Sequence, residues 1–268
     1  MKVVLFCGGL GTRLREYTDN IRNIPKPLVP IGPQPILWYL MKYYAHYGHK
    51  DFILCLGYMG DKIKEFFLKY NEYIGNDFTM MEGGKRLELT RSDIHDWNIT
   101  FVDTGLKSNI GQRLKLVQPY LEGEDMFLAN YSDGLTDMPL QDMLHQFSKS
   151  GKVGGFVCAR PSQSFHVVAL GDGNNVTGIT SAKEAGIRIN GGFFVFRKEI
   201  FDYVREGEEL VMEPFGRLIE KELLFGYKYD RFWCMDTFKE QQELTDLLNQ
   251  GAAPWEVWRN PGSDRRKK

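Results

Sequence analysis

A chain of 268 residues, 43% hydrophobic and 26% charged, has the length and composition of one large α/β domain with a substantial core. Its 34 Lys and Arg against 35 Asp and Glu leave a net charge of −1, which excludes a broad basic face for nucleic acid or an anionic membrane. No apolar stretch is long enough to cross a bilayer, and no basic-then-apolar leader opens the sequence, so a cytoplasmic protein is expected.

The first element is an apolar strand, Lys2 to Cys7, feeding Gly8-Gly9-Leu10-Gly11-Thr12-Arg13-Leu14 and then Pro25-Lys26-Pro27. Glycines let a loop bring backbone N–H groups against a phosphate without a Cβ in the way, and Arg13 and Lys26 add fixed positive charge. Prolines on both sides of Lys26 predict an extended rather than helical segment. The loop is neither the P-loop, which needs Gly-x-x-x-x-Gly-Lys-Ser/Thr, nor the dinucleotide fingerprint, because Leu14 stands where a third glycine would be.

Helix, strand and helix follow over Pro35 to Tyr47, Asp51 to Leu56 and Asp61 to Tyr70. The segment 71–97 fits neither pattern; Gly83-Gly84 between Met80-Met81 and Leu87-Glu88-Leu89 predicts an inserted hairpin arm. A strand over Ile99 to Val102, a helix over Gln112 to Leu121 and a strand over Met126 to Ala129 complete a β-α-β-α order, hence a doubly wound, mainly parallel sheet. From Val153 to Phe196, short apolar runs separated by Gly, Asn and Asp predict an additional antiparallel lobe. The chain reads as one domain, with 1–150 mainly nucleotide-binding and 151–268 completing the site. Cys7, Cys55, Cys158 and Cys234 lack Cys-x-x-Cys spacing, so buried, reduced thiols are expected. The basic tail Arg265 to Lys268 reads as a frayed terminus.

Two aspartates end apolar runs: Asp133, in Asn130-Tyr131-Ser132-Asp133-Gly134, and Asp236, in Phe232-Trp233-Cys234-Met235-Asp236-Thr237. Ligands of doubly wound sheets bind at the carboxyl ends of strands, and Mg²⁺ is held by one or two carboxylates with phosphate oxygens and water. A lone strand-end Asp is more often a turn residue, and Asp137, ahead of Pro139, reads as a turn or N-cap.

The full run Gly-Gly-Leu-Gly-Thr-Arg-Leu with Pro-Lys-Pro resembles the signature of the sugar-1-phosphate nucleotidyltransferases. Pro35 to Trp38, Val102 to Gly105, Ile189 to Val195 and Ala-Pro-Trp-Glu-Val-Trp at Ala253 to Trp258 look most like the glucose-1-phosphate cytidylyltransferase branch. The resemblance implies CTP and α-D-glucose 1-phosphate as substrates, CDP-glucose and pyrophosphate as products, Mg²⁺ on Asp133 and Asp236, and a homo-oligomer. It implies Arg13 and Lys26 as catalytic cations and a nucleotide site that also uses Leu5, Gly8, Gly9, Gly11 and Thr12, with Gly111, Arg113 and Ser132 beside them. For the sugar it implies Lys183, Asn190 and Gly191. The family's Glu-Lys-Pro is here Ser181-Ala182-Lys183-Glu184, so its glutamate has no clear equivalent: either Glu184, following the lysine, replaces it as acceptor, or the pocket takes a sugar with fewer or differently placed hydroxyls. Ser164-Phe165-His166-Val167 likewise stands where the family has Arg-Phe-Gly.

Other readings are an inactive ligand-sensing homologue, which would have lost these charges, and an NAD-dependent sugar enzyme. The latter needs an acidic residue ending the second strand, where Gly57-Tyr58 stands. The same reaction with UTP, dTTP or another hexose 1-phosphate stays open at this point.

Overall fold

The structure is a computed structural model that describes residues 1–11, 23–161, 166–182 and 184–259. Thr12, Arg13, Ser164, Phe165, Lys183 and the basic tail lie outside the described residues.

The chain opens with β1 (Val3–Phe6), buried on both faces, and a small hairpin of β2 (Pro30–Ile31) and β3 (Gln34–Pro35). Helix α1 (Ile36–His46) starts directly after Pro35, where the missing N–H costs nothing, and is buried along most of its length. Strand β4 (Asp51–Leu56) and α2 (Gly60–Leu68) follow as expected. The arm is α3 (Glu72–Gly75) with the antiparallel pair β5 (Phe78–Met81) and β6 (Arg86–Leu89), turning at Gly83 and Gly84. Next come β7 (Asn98–Asp103) and α4 (Ile110–Leu116). The helix expected to reach Leu121 stops at Val117 and continues as a 3-10 turn over Gln118–Leu121, because Pro119 has no N–H for the α-helical ladder.

The remaining elements are β8 (Met126–Tyr131), β9 (Gly134–Thr136), α5 (Leu140–Ser150), β10 (Gly154–Ala159), β11 (His166–Leu170), β12 (Val176–Ser181), β13 (Ile189–Asn190), β14 (Phe194–Arg197), α6 (Glu213–Glu220), β15 (Leu224–Lys228), β16 (Phe232–Cys234) and α7 (Phe238–Asn249). The central sheet runs β13-β10-β14-β8-β1-β4-β7, with β15 also on β10. Strands β8, β1, β4 and β7 are parallel; β14 is antiparallel to both β8 and β10.

The antiparallel part is thus continuous with the parallel one. Of the strands between Val153 and Phe196, among the described residues, β11 and β12 form a hairpin separate from the central sheet. Strand β1 shows why both faces must be covered: Val3 and Leu5 enter one apolar cluster, while Val4 and Phe6 enter the other.

Candidate active site

The carboxyl ends of β1, β4 and β8 come together because these strands are parallel and adjacent. A cleft of about 220 Å³ opens there, lined by the glycine loop, Lys26, Tyr131 and Asp133 and by the start of α4. Among the described residues nothing lies within 4 Å of where a Cβ on Gly9 would sit, as a phosphate cradle requires. Gly11 has φ +59, and a Cβ on it would sit 3.1 Å from Lys26 Cβ, so this glycine lets the loop close onto the lysine. Ser132 donates to the Phe6 carbonyl at 3.0 Å, tying the exits of β8 and β1 together. Leu5 is wholly buried in the core, and its neighbour Phe6 reaches the cleft wall instead.

Arg113 is 3% exposed and lies under the glycine loop. Its Nη1 donates to the Leu56 carbonyl at 3.0 Å and to Thr104 Oγ1 at 2.6 Å, and its Nη2 donates to the Gly8 carbonyl at 3.1 Å. Burial pulls its pKa down from the ordinary value. These donors brace backbone carbonyls at the ends of β1 and β4, while Arg113 also lines the cleft in which a phosphate or base contact, or a capping role in the fold, was expected of it. Gly8 is part of the same fit, since a Cβ there would lie 2.1 Å from Arg113 Nη1. Gly111 allows another close approach: its Cβ would meet the Glu208 carbonyl oxygen at 2.3 Å, so it seats α4 on the 208–210 segment.

The prolines around Lys26 shape a turn that differs from the extended segment expected. Pro25 is extended, and Lys26–Leu28 form one 3-10 turn in which Pro27 needs no N–H. That turn projects Lys26 inward. Its Nζ lies 2.6 Å from Asp133 Oδ2 and 2.5 Å from Asp236 Oδ1. Burial alone would lower the pKa of this ammonium, but the two carboxylates overcome it and hold the pKa above the ordinary lysine value.

Pairing of β9 with β16 brings the aspartates together. Cys234 stands opposite Gly134, the Met235 N–H donates to the Asp133 carbonyl at 2.9 Å, and Asp236 is the next residue. Gly134 is required at that crossing, because a Cβ would touch the Phe232 ring at 2.9 Å. The helix start then fixes Asp236. Thr237 and Glu240 form a capping box, and Glu240 Oε2 also accepts from the backbone N–H of Asp236 at 2.8 Å. Glu240 is the residue that sequence reasoning missed; Thr-x-x-Glu directly after Asp236 was its signal.

Two part-buried carboxylates around one cation suit Mg²⁺, which commonly takes one or two protein carboxylates and completes its shell with phosphate and water oxygens. Among the described residues no group of three or more His, Cys, Asp or Glu could hold an ion without such outside oxygens. Asp137 does not cap a helix. Its side chain, 4% exposed, pairs with Arg231 and accepts from the Tyr229 hydroxyl at 2.9 Å, because the strand leading to Asp236 crosses directly over it.

Asn190 borders the same end of the sheet. Its Nδ2 donates to the Tyr131 hydroxyl at 3.3 Å, and Tyr131 lines the cleft. Gly191 packs on β10, its N–H donating to the Val157 carbonyl at 2.9 Å. Glu184 is exposed and held locally, accepting from Ser181 Oγ at 3.0 Å. Cys7 and Cys55 are buried and free, and burial raises the Cys7 thiol to about 12, so neither is a nucleophile.

A model of the nucleotidyl transferase family matches residues 2–233. The chain belongs to this family. Among its relatives, the glucose-1-phosphate cytidylyltransferase of Salmonella typhimurium strain LT2 is 36% identical over 260 residues, which are 96% of this chain and all of that one. A mannose-1-phosphate guanyltransferase of Saccharomyces cerevisiae is 26% identical over 92% of this chain and 64% of its own length. The crystal structure of HddC from Yersinia pseudotuberculosis superposes with a TM-score of 0.63 at 19% identity, covering 92% of this chain and 99% of that one, and shares the fold.

Proposed function

We propose that the protein condenses CTP with α-D-glucose 1-phosphate to give CDP-glucose and pyrophosphate. The observation that carries this is the convergence of Lys26, Asp133 and Asp236 beside a glycine loop at the carboxyl edge of a parallel sheet. The cytidylyltransferase relative aligned along its whole length supports the choice of substrates.

A phosphate oxygen of the sugar phosphate attacks the α-phosphorus of CTP, and the bond from that phosphorus to the bridging oxygen breaks as pyrophosphate leaves. No side-chain nucleophile is needed, so the chain's task is alignment and charge neutralisation. Asp133 and Asp236 would hold Mg²⁺, which supplies positive charge to the phosphate oxygens when bound. Lys26 has three donors and can trade a carboxylate contact for a phosphate oxygen. Arg13 is assigned to the departing pyrophosphate, Lys183 to the sugar phosphate and Asn190 to a sugar hydroxyl.

A cytoplasmic homo-oligomer belongs to the same proposal. The support for the oligomer is the apolar surface left on the β5–β6 and β11–β12 ribbons, with Met80 on one and Ile179 on the other each 65% exposed. Among the described residues no helix is long and apolar enough to cross a membrane.

The test is a ³¹P NMR time course with CTP, glucose 1-phosphate and Mg²⁺. A new diphosphate pair should grow with free pyrophosphate and stop on addition of EDTA. Release of inorganic phosphate in place of pyrophosphate would overturn the reaction assigned.

A further inference from the structure

The strand carrying Asn190 is broken where it passes the site. Strand β13 pairs with Cys158 and Ala159, and β14 pairs with Gly154 and Gly155, all on β10. Between the paired stretches, Gly192 and Phe193 are both in the left-handed region, at φ +71 and +49. Glycine tolerates that conformation. A bulky aromatic residue does not, so Phe193 is strained and something must hold it.

Two contacts do so. The Phe193 ring, 1% exposed, packs edge-on against Tyr43 at 5.5 Å between centroids. Its N–H donates at 2.9 Å to Oδ1 of Asn130, itself 1% exposed in β8. The same oxygen occupies the space a side chain on Gly192 would need, 2.3 Å from the ideal Cβ position.

Asn130 is a polar residue in the core. Its Nδ2 faces the buried hydroxyl of Tyr44 without a well-formed hydrogen bond between them. Among the described residues, the well-formed bond of the carboxamide is the one its Oδ1 accepts from the Phe193 N–H.

That bond leads to the site. The Gly192 N–H donates to Asn190 Oδ1 at 2.9 Å, which turns Asn190 Nδ2 toward the Tyr131 hydroxyl at 3.3 Å. Tyr131, the residue after Asn130, forms part of the cleft wall. The bulge therefore sets where Asn190 stands, and Asn130 sets the bulge. We infer that Asn130 is a positioning residue for sugar recognition, acting through the strained Gly192–Phe193 bulge on the placement of Asn190 beside Tyr131. The inference rests on the assignment of Asn190 to the sugar made above.

The test compares Asn130→Leu and Asn130→Asp with Asn190→Ala, using steady-state kinetics and amide hydrogen exchange of the peptide spanning 189–196. Asn130→Leu removes the acceptor, and exchange through the bulge should accelerate. Its KM for glucose 1-phosphate should rise about tenfold while the KM for CTP stays within about twofold, since misplacement confined to one substrate's contact costs that substrate. Asn130→Asp keeps an oxygen in the same place whether ionised or protonated, and should restore both readouts. Should Asn130→Leu not yield folded enzyme, Asn130→Ala gives the same reading without added bulk. Asn130→Leu in the Asn190→Ala background should add nothing further to the sugar KM.

An unchanged sugar KM in Asn130→Leu alongside a raised one in Asn190→Ala overturns the inference alone. An unchanged sugar KM in both variants overturns the assignment of Asn190 as well. An equal rise in both substrates' KM shows a general loosening of the core and also overturns it.

Discussion

Replacing Lys26 by methionine removes the side chain that forms ion pairs with both Asp133 and Asp236. The ammonium lies 2.6 Å and 2.5 Å from the two carboxylates, and its side chain is 16% exposed. Unit charges 4 Å apart interact by about 4 kcal/mol at an effective dielectric of about 20, and desolvation of the partners cancels much of that. An exposed ion pair contributes about 0–1 kcal/mol, and breaking a fully buried one costs about 3–5 kcal/mol. For this half-buried cluster we expect Lys26→Met to cost about 2 kcal/mol in metal-free urea unfolding. Turnover should fall about 10²–10³-fold, the usual effect of removing one charge-stabilising donor.

Adding Mg²⁺ should restore much of the variant's stability, since a divalent cation can take the place between the carboxylates, but should not restore turnover. The pH dependence has a definite sign. The folded Lys26 pKa is raised, so its stabilisation is complete below the ordinary lysine value of about 10.4 and is lost only as pH rises through the higher folded value. The stability gap between wild type and variant should therefore stay flat from about pH 6 to about pH 9. Metal-free stability equal to wild type, together with near wild-type turnover, would refute the cluster's role.

Asp133→Asn and Asp236→Asn should each fold and each lose at least about 10²-fold in turnover with Mg²⁺, measured by pyrophosphate release; near wild-type turnover in either moves the metal elsewhere. Glu240→Ala removes the acceptor that holds the Asp236 N–H and the helix cap, and should cost about 1 kcal/mol of stability with a clear loss of turnover. Stability lost with turnover intact would leave Glu240 a cap only. His49 is buried with neither ring nitrogen hydrogen-bonded among the described residues, and burial, then the N-terminal amino group, depress its pKa to about 4. Its neutral form is favoured by folding, so that stability is fully present above about pH 6.5 and lost as pH falls toward about 4, on the order of 2–3 kcal/mol. His49→Phe should flatten this acid limb in urea titrations at stepped pH; an unchanged limb would place the acid sensitivity elsewhere.

The parts of the site carried by local pattern were legible. The first strand and its glycine loop, the arm hairpin at Gly83-Gly84, and both strand-end aspartates stand where the sequence placed them. What local pattern could not supply was the other side of each contact. An arginine on a short helix has the same sequence appearance whether it meets solvent, a phosphate or three oxygens beneath a loop. Only the approach of α4 to the ends of β1 and β4 decides that Arg113 braces Gly8. Nor could it show that β10 and β14 would join the parallel sheet, since short apolar runs between turns fit a separate lobe equally well. Asn130 beside Tyr131 gave no signal at all, because its partner is a backbone N–H far along the chain.

The central claim is tested most directly by a matrix of kcat/KM for CTP, UTP and dTTP against glucose 1-phosphate and other hexose 1-phosphates, read as pyrophosphate release with Mg²⁺. The account predicts that CTP with glucose 1-phosphate is the most efficient pair and that chelating the metal abolishes every signal in the matrix. Efficient turnover of glucose 1-phosphate with UTP or dTTP but not with CTP would contradict it.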